Sequence, residues 1–490
     1  INTGIITKEI TGKVEENSYD YTYYQYQYDE NYNLISYEYY YYDNQTLVHM
    51  PIATYKYDDY SKVIYYKDEL EKTIYYYDYN NIGALIKVNI CSENSNYTDY
   101  ICITYDEENR IKEIEKNFNN NIQITTYTYE DNEISELRIN DSIYRKPKEI
   151  LSEDKKFIES FIRNVENGTQ DIINEKNYYQ EAEQFLVVDE NNSAVTSSNK
   201  ISTRIAKQEF TINGIIYTYN YTYDNLGNIT SIETRNTESS DVTKYLYNYY
   251  FGQLINETVE KNNVIIYNCT YRYDSYGNVI EINREVKLDI YSDYPVNQYF
   301  TYDNNNQLTE YTIDGVTYQV SYNNGNPLTY KDYNLTFNNG NLTSLTNTNN
   351  NITYEYNADG IRIKKVVNNI TTLYTVFNGI IIEETVTGSN GYTIKYIYDD
   401  NNLLLGFIYN NETYYYQRTL TGEITRIVNS NGIIVGEYYY DAYGNILNLD
   451  ELSEIAEINP FRYKGYYYDQ ETNLYYCKSR YYSPEIYRWI

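Results

Sequence analysis

The sequence predicts an all-β protein made of repeated β-hairpins in a long curved strip. Three observations carry that prediction: a Tyr-Asp turn motif recurs along the chain, the segments between its copies alternate with period two, and tyrosine dominates the composition. Tyrosine fills 73 of 490 positions, against 11 Phe and one Trp. A Tyr ring covers apolar area on a sheet face while its hydroxyl reaches water or a partner, which suits half-wet strands better than dry cores. Ordinary packing accounts for most of these rings. With only six Pro, 21 Gly and no long Ser/Gly/Pro linker, one large repetitive unit fits the length as well as several ordinary domains.

The motif reads Tyr-Asp, two or three polar residues, Gly-Asn, then an aliphatic residue that opens the next strand. Its clearest copies are YDNLGNIT at 223, YDSYGNVI at 273 and YDAYGNIL at 440, with looser ones at 28, 57, 77, 105, 129, 302, 322, 337, 356 and 398. Starts about 15–30 residues apart suit one hairpin per repeat. In the copy at 223, Asp224 bonds its own backbone and starts the turn, Gly227 supplies the positive φ, Asn228 tolerates the left-handed region beside it, and Tyr223 closes the strand on the sheet face. TINGIIYTYNYTYD and EYYYDAYGN alternate an Ile/Tyr face with one of Thr, Asn, Glu and Lys. Many consecutive hairpins must curl or close to protect their edges, so the expected product is a wound β ribbon.

One segment breaks the pattern. No clear copy falls between Tyr129 and Tyr223, and SEDKKFIESFIRNVENG at 152 reads as a small helical insertion over 152–168. Ser152 caps it, Phe157, Ile158, Phe161, Ile162 and Val165 form an apolar stripe, and Gly168 stops it. It is either a plug or docking element, or an insertion packed on the sheet surface. VDENNSAVTSSNK at 188 reads as a loop.

With 39 basic and 70 acidic residues the formal charge is −31, so unaided nucleic-acid binding is excluded as an expectation. The charge keeps a large β surface soluble or attracts basic partners. No apolar stretch approaches the ~18 residues a membrane helix needs, and no signal peptide is visible. The chain starts at Ile1 rather than Met, which leads us to expect residues upstream.

Catalytic and metal chemistry find little support. Cys91, Cys102, Cys269 and Cys477 have no CxxC spacing. Cys91 and Cys102 could face each other across the hairpin in NICSENSNYTDYICI, or stay as unpaired thiols. The single histidine, His49 in TLVHMP, is explained by strand packing or surface. Glu355, Asn357, Asp359 and Gly360 hint at a calcium loop, but Val366 stands where a bidentate Glu is required. No catalytic residue, cofactor-binding residue, metal ligand or cofactor is assigned.

The end of the chain carries a specific signal. After GEYYYDAYGNILN comes NPFRYKGYYYDQETNLYYCKSRYYSPEIYRWI. The order Asn459, Pro460, Phe461, Arg462, Tyr463, Gly465, Tyr466, Tyr467, Tyr468, Asp469, Leu474, Tyr475, Tyr476, Arg480, Tyr481, Tyr482, Pro484, Arg488, Trp489, Ile490 resembles the RHS repeat-associated core of YD-repeat (RHS-repeat) proteins. Ser483 stands where that pattern has Asp, and Tyr487 where it has Gly, which puts the local turn in question.

The resemblance implies a hollow YD-shell or barrel: residues 1–140 its first part, 141–210 the insertion, 211–435 its second part, and 436–490 the core, truncated at its C-terminal end. In bacterial relatives such a shell encapsulates a C-terminal toxin polypeptide, and teneurins use a similar shell for adhesion. The family's autoprotease residues fall beyond the position matching Ile490, so the expectation is a structural wall and no enzyme, with toxin and autoprotease segments outside this chain. Arg480 and Arg488 would brace that site or form buried ion pairs. The implied partner is an enclosed toxin chain, and the implied location is secreted or on a bacterial cell surface. The alternative is an adhesion or carbohydrate-binding module that meets a glycan or receptor, against which the single Trp weighs.

Overall fold

The computed structural model describes residues 8–12, 21–43, 46–70, 72–92, 98–118, 121–130, 133–139, 142–152, 155–164, 171–181, 186–188, 194–196, 201–286, 297–313, 315–338, 340–357, 359–377, 379–388, 391–399 and 401–490. The chain forms two compact units. One comprises Ile1–Asn140 and Glu355–Ile363, the other Asp141–Tyr354 and Lys364–Ile490.

In the first unit each strand pairs antiparallel with the next, from Lys8–Gly12 and Tyr21–Tyr28 through Leu34–Asp43 and Thr46–Tyr57 to Glu133–Ile139. Tyr23, Tyr39, Ile52, Val88, Ile101 and Leu137 are buried on this sheet. In the second unit one meander runs from Ser142–Ser152 to Val316–Gln319 and another from Thr329–Tyr330 to Ile434–Glu437. Phe210, Ile212, Tyr217, Tyr219 and Tyr221 from the first pack with Tyr415 and Val428 from the second in one core cluster. A four-stranded sheet of Tyr467–Asp469, Leu474–Tyr476, Tyr481–Ser483 and Arg488–Trp489 ends the chain. The all-β expectation therefore holds.

The turns work as their residues dictate. Asp224 Oδ1 accepts the Asn228 amide at 2.8 Å, Asp224 Oδ2 accepts the Asn228 side chain at 2.8 Å, and the Gly227 amide donates to the Asp224 carbonyl at 3.1 Å. The same carboxylate-to-amide bond closes the turns at Asp29, Asp58, Asp106, Asp274, Asp303 and Asp399, and Asn80, Asn357 and Asn429 do it with an amide oxygen. Hydrogen bonds from Asn33 and Asn228 hold the Asp29 and Asp224 carboxyls below their ordinary range. The left-handed residue is Gly227 at φ 93° and Gly277 at 87°, whereas Tyr32, Ser61 and Asn109 take it at φ 62–65° in looser copies.

In most copies the motif tyrosine does more than pack. Its hydroxyl donates to the carbonyl of a preceding strand, usually at the aliphatic residue just past the previous turn. In the copy expected at 77 the turn starts at Asn80, so Tyr79 rather than Tyr77 has this part. Tyr57 bonds Leu34, Tyr79 Val63, Tyr105 Leu85, Tyr273 Leu254 and Tyr302 Val279, all at 2.6–2.8 Å. Tyr129, Tyr223 and Tyr398 do the same to Ile111, Ile205 and Ile381. The strand register shifts at this residue, between Thr222 and Tyr223, Arg272 and Tyr273, and Thr301 and Tyr302. Such bulges bend and twist a strand, so the dipeptide that makes the turn also curves the sheet.

The helix expected over 152–168 is absent. Ser152 ends the strand Ser142–Ser152, and Lys155–Asn164 is a strand paired on both sides, Phe161 facing Arg145 and Asn174. FIESFI satisfies both periodicities, and two waiting edges decide for the strand, with Ser160 and Ile162 buried on one face. Val165 and Gly168 lie outside the described residues. Within the expected loop at 188, Leu186–Val188 and Ala194–Thr196 pair as a small hairpin. Cys91 and Cys102 do not face each other: Cys91 pairs with Thr98 and Cys102 with Lys87, and both thiols are free.

Replacing Tyr223 by Phe keeps the ring and removes the 2.6 Å bond to Ile205. The expected loss is about 1 kcal/mol of unfolding free energy. Tyr276→Phe, at a turn position 80% exposed, should leave the denaturation midpoint unchanged and serves as the control.

Candidate functional site

The C-terminal block buries a dense set of polar groups, among them Asp441, Asn445, Asn459, Arg462 and Asp469. The turn at Tyr440 to Asn445 repeats the motif, yet Asp441 and Asn445 are buried, unlike the half-buried or exposed Asp of the turns at 224, 274 and 303. Asp441 Oδ1 accepts the amides of Tyr443 and Asn445 at 2.9 Å, and Oδ2 accepts the Asn445 side chain at 2.6 Å. Tyr440 donates to the Ile424 carbonyl at 2.9 Å, the usual latch.

Three tyrosines then hold the turn from outside. Tyr463 donates to the Ala442 carbonyl at 2.8 Å, Tyr482 to Tyr443 at 3.0 Å, and Tyr475 to Gly444 at 2.9 Å. These carbonyls are consecutive, so the closing strands read the turn's backbone rather than its side chains. A Cβ on Gly444 would lie 2.4 Å from the Tyr463 ring, and its φ of 93° independently favours glycine.

The turn rests on a row of residues from three neighbouring strands. Glu257 on Gln253–Lys261 pairs with Cys269 on Val264–Tyr273, which pairs with Arg284 on Val279–Val286; all three are buried. Glu257 Oε2 accepts the Ala442 amide and the Tyr271 hydroxyl, each at 3.1 Å, while its Oε1 has no hydrogen-bond partner. Arg284 Nη2 lies 3.8 Å from Asp441 Oδ2 and donates to the Tyr487 hydroxyl. Burial, then the Asp441 carboxylate, pushes Glu257 up to about 8, and burial also raises Asp441 against the pull of Arg284. The Cys269 thiol is pushed up to about 12 by burial, so no thiolate nucleophile is prepared here.

The NPFRY segment is a second lock. Asn459 accepts the Tyr416 hydroxyl at 2.5 Å and donates to Tyr438 at 3.0 Å and to the Phe461 carbonyl at 2.6 Å. Arg462, fully buried, donates to the carbonyls of Asn459, Ala456 and Glu457 and lies 4.6 Å from the Tyr468 ring centre. Those carbonyls belong to the end of Glu454–Ile458, the α-helix among the described residues, which Ser453 caps through the Ala456 amide at 3.3 Å. A guanidinium there meets the negative end of a helix.

The remaining residues singled out in the sequence separate. His49 is exposed on Thr46–Tyr57 and stacks on Tyr40 at 5.7 Å. Asn357 spends its side-chain oxygen on the amides of Asp359 and Ile361, as every turn of this kind does. Arg480 is exposed over Trp489 at 4.3 Å, and Arg488 bonds Asn278 and the Asn306 carbonyl, so neither forms the buried ion pair that was one of its two expected roles. Tyr487 adopts φ 58°, the conformation a glycine would take, and its ring packs on Tyr443 at 4.6 Å. Ser483, where the pattern has Asp, accepts the Ile486 amide through its hydroxyl at 3.4 Å and bonds Tyr330 at 3.1 Å. Sequence reading missed Glu257 and Arg284. Their signal was charge at inward parity, as Arg284 follows Ile282 by two.

Antiparallel hairpins latched by Tyr-Asp turns and ended by this locked block define a YD-repeat β-shell protein. A sequence profile described as Teneurin YD-shell matches residues 164–490, well over half of the chain, and the chain belongs to that family. It is 33% identical over 184 residues to the tRNA3(Ser)-specific nuclease WapA of Bacillus spizizenii, and 34% over 186 residues to the tRNA nuclease WapA of Bacillus subtilis. Each match covers 36% of this chain and 8% of the relative, so the chain spans under a tenth of those proteins. The crystal structure of TcdB2–TccC3 matches 100% of this chain and 30% of its own with a TM-score of 0.50 at 15% identity, which establishes the shared fold. Among the described residues no helix is long and apolar enough to cross a membrane.

A buried acid whose folded pKa is raised favours the folded state at low pH, and that contribution is lost as pH climbs from its unfolded value towards about 8. Stability should therefore fall by a few kcal/mol from pH 5 to pH 8 through Glu257, and Glu257→Gln should flatten that slope, read as denaturant midpoints at the two pH values. Gly444→Ala should cost at least about 2 kcal/mol, from strain plus the clash with Tyr463.

Proposed function

We propose that this chain is the wall of an RHS-type polymorphic toxin, exported to the cell exterior, whose shell encloses and presents a C-terminal toxin polypeptide. The observation that carries this reading is the block at 436–490. Its three tyrosine hydroxyls and Arg462 tie the block to itself, and Ala442, Asn459, Tyr467 and Ser483 fasten it to the strip through Glu257, Tyr416, Glu384 and Tyr330 before Ile490 is reached. A terminal element anchored this heavily suits a chain that carries a cargo behind it, because tension from the cargo must not pull the junction loose. The curated relatives named as tRNA nucleases support a toxin as that cargo. Within this reading the wall does no chemistry. Its buried acids and guanidinium are held inside the packing, and the net charge of −31 offers a field attractive to a basic cargo.

The test is the coding sequence after the Ile490 codon, followed by protease protection of the complete polypeptide. The expected outcome is a short linking segment, then a small domain unrelated to the repeats that resists digestion until the shell is denatured. A stop codon directly after Ile490, or a downstream domain digested as fast as when it is free, would overturn the proposal.

A further inference from the structure

A lysine and two carboxylates form a cluster with no place in the locks described above. Lys365, on Arg362–Val367, is 8% exposed, and Asp469, at the end of Tyr467–Asp469, is 0% exposed. Lys365 Nζ donates to Asp469 Oδ1 at 2.9 Å. Glu471 Oε1 lies 2.9 Å from the same nitrogen, at ion-pair distance but off the hydrogen-bond direction. The Tyr467 ring centre stands 5.7 Å from Nζ, and the Tyr467 hydroxyl is held by Glu384 at 2.7 Å.

We propose that Lys365 and Asp469 condense to an intramolecular isopeptide bond, with Glu471 as the proton carrier. Away from water a neighbouring ammonium and carboxylate can neutralise each other, so the proton passes from Nζ to Asp469 and leaves an amine beside a carboxylic acid. The amine nitrogen attacks Asp469 Cγ and forms the C–N bond. Glu471 takes the second proton from nitrogen and delivers it to the Asp469 hydroxyl, which departs as water while the C–O bond breaks. One ammonium and one carboxylate become one amide and one water; Glu471 ends as it began, and no oxidant or external reagent is consumed. The fold supplies what the reaction lacks in solution, a fixed approach of the two groups in a site with little water to reverse the step.

The position gives the bond a use. It would tie residues 104 apart in sequence, fastening the closing hairpin to a strand of the strip. The four thiols are free, so no disulfide does this work. A cross-link over a loop of that length stabilises chiefly by restricting the unfolded chain.

The experiment is intact-mass measurement of the purified folded chain, followed by peptide mapping. The expected result is a mass lower than the sequence mass by one water, with a branched peptide joining Lys365 to Asp469. Glu471→Gln and Lys365→Arg should both show the full sequence mass, and circular dichroism should retain the β signal in the conservative Lys365→Arg. Folded wild-type protein at the full sequence mass after prolonged incubation would leave an ion pair only and overturn the proposal, as would a water loss mapped elsewhere. Unchanged water loss in Glu471→Gln would overturn the role of Glu471. The wild-type measurement decides on the bond even where a variant fails to fold.

Discussion

The hydroxyl of the motif tyrosine, bonded to the carbonyl of a preceding strand, is the contact on which the rest of the strip depends. Single hairpins of this length are marginal in water, and a strip of them persists only if each grips its neighbour. Ladder hydrogen bonds join adjacent strands, but the latch from Tyr302 to Val279 or from Tyr273 to Leu254 ties a strand end to the start of the strand beside it, across the turn region where the ladder has just slipped register. The bulge frees a carbonyl that would otherwise need water, and the phenol supplies the donor. Phenylalanine could fill the same space but would leave that carbonyl unpaired. This is the physical content of a composition so rich in tyrosine.

The aspartate beside it solves a separate problem. A five-residue turn leaves several amides pointing inward, and one carboxylate can accept two of them while an asparagine four residues on binds its second oxygen. Once those bonds are made, the left-handed position becomes tolerant. Glycine fills it at 227, 277 and 444, but Tyr32, Ser61 and Asn109 hold the same conformation. The motif therefore varies at both positions: glycine gives way where Asp29, Asp58 and Asp106 are kept, and it stays as Gly83, Gly360, Gly432 and Gly422 where the aspartate has become Asn80, Asn357, Asn429 or Thr419. A search pattern that required glycine would lose many of the repeats.

Much of this was legible in the sequence because the turn chemistry is local. Asp224 and Gly227 take the roles their types suggest, whereas Asn228, expected to tolerate the left-handed region, is not left-handed and ties its amide and side chain to Asp224; the alternation of TINGIIYTYNYTYD sets the buried face of Ile215–Tyr223. The misreadings arose where local pattern underdetermines structure. FIESFI fits a helix and a strand equally, and only the presence of two partner strands breaks the tie. Arg480 and Arg488 were read either as braces of a missing site or as members of buried ion pairs, yet they lie over Trp489 and Tyr302. The Glu257, Cys269 and Arg284 row could not be found by spacing, since its members come together through strand register.

That row explains why the closing turn docks where it does. Every turn in the strip offers much the same backbone, so a block that reads turns through carbonyls alone would have several equivalent places to bind. At Asp441 the ambiguity is removed by charge: the turn brings a buried carboxylate and an amide to a site that already holds a guanidinium and an acid. Burying these groups costs free energy, and a wholly apolar pocket would stabilise the fold at least as well. An apolar pocket, however, would accept any of the aromatic turn tips that the strip repeats. With Arg284 and Glu257 in place, a slipped register would leave a bare guanidinium and two unmatched acids away from water, a penalty of several kcal/mol against the wrong arrangement. The charges thus act as a register mark, placed at the one step of assembly where a repetitive sequence cannot otherwise tell its own copies apart.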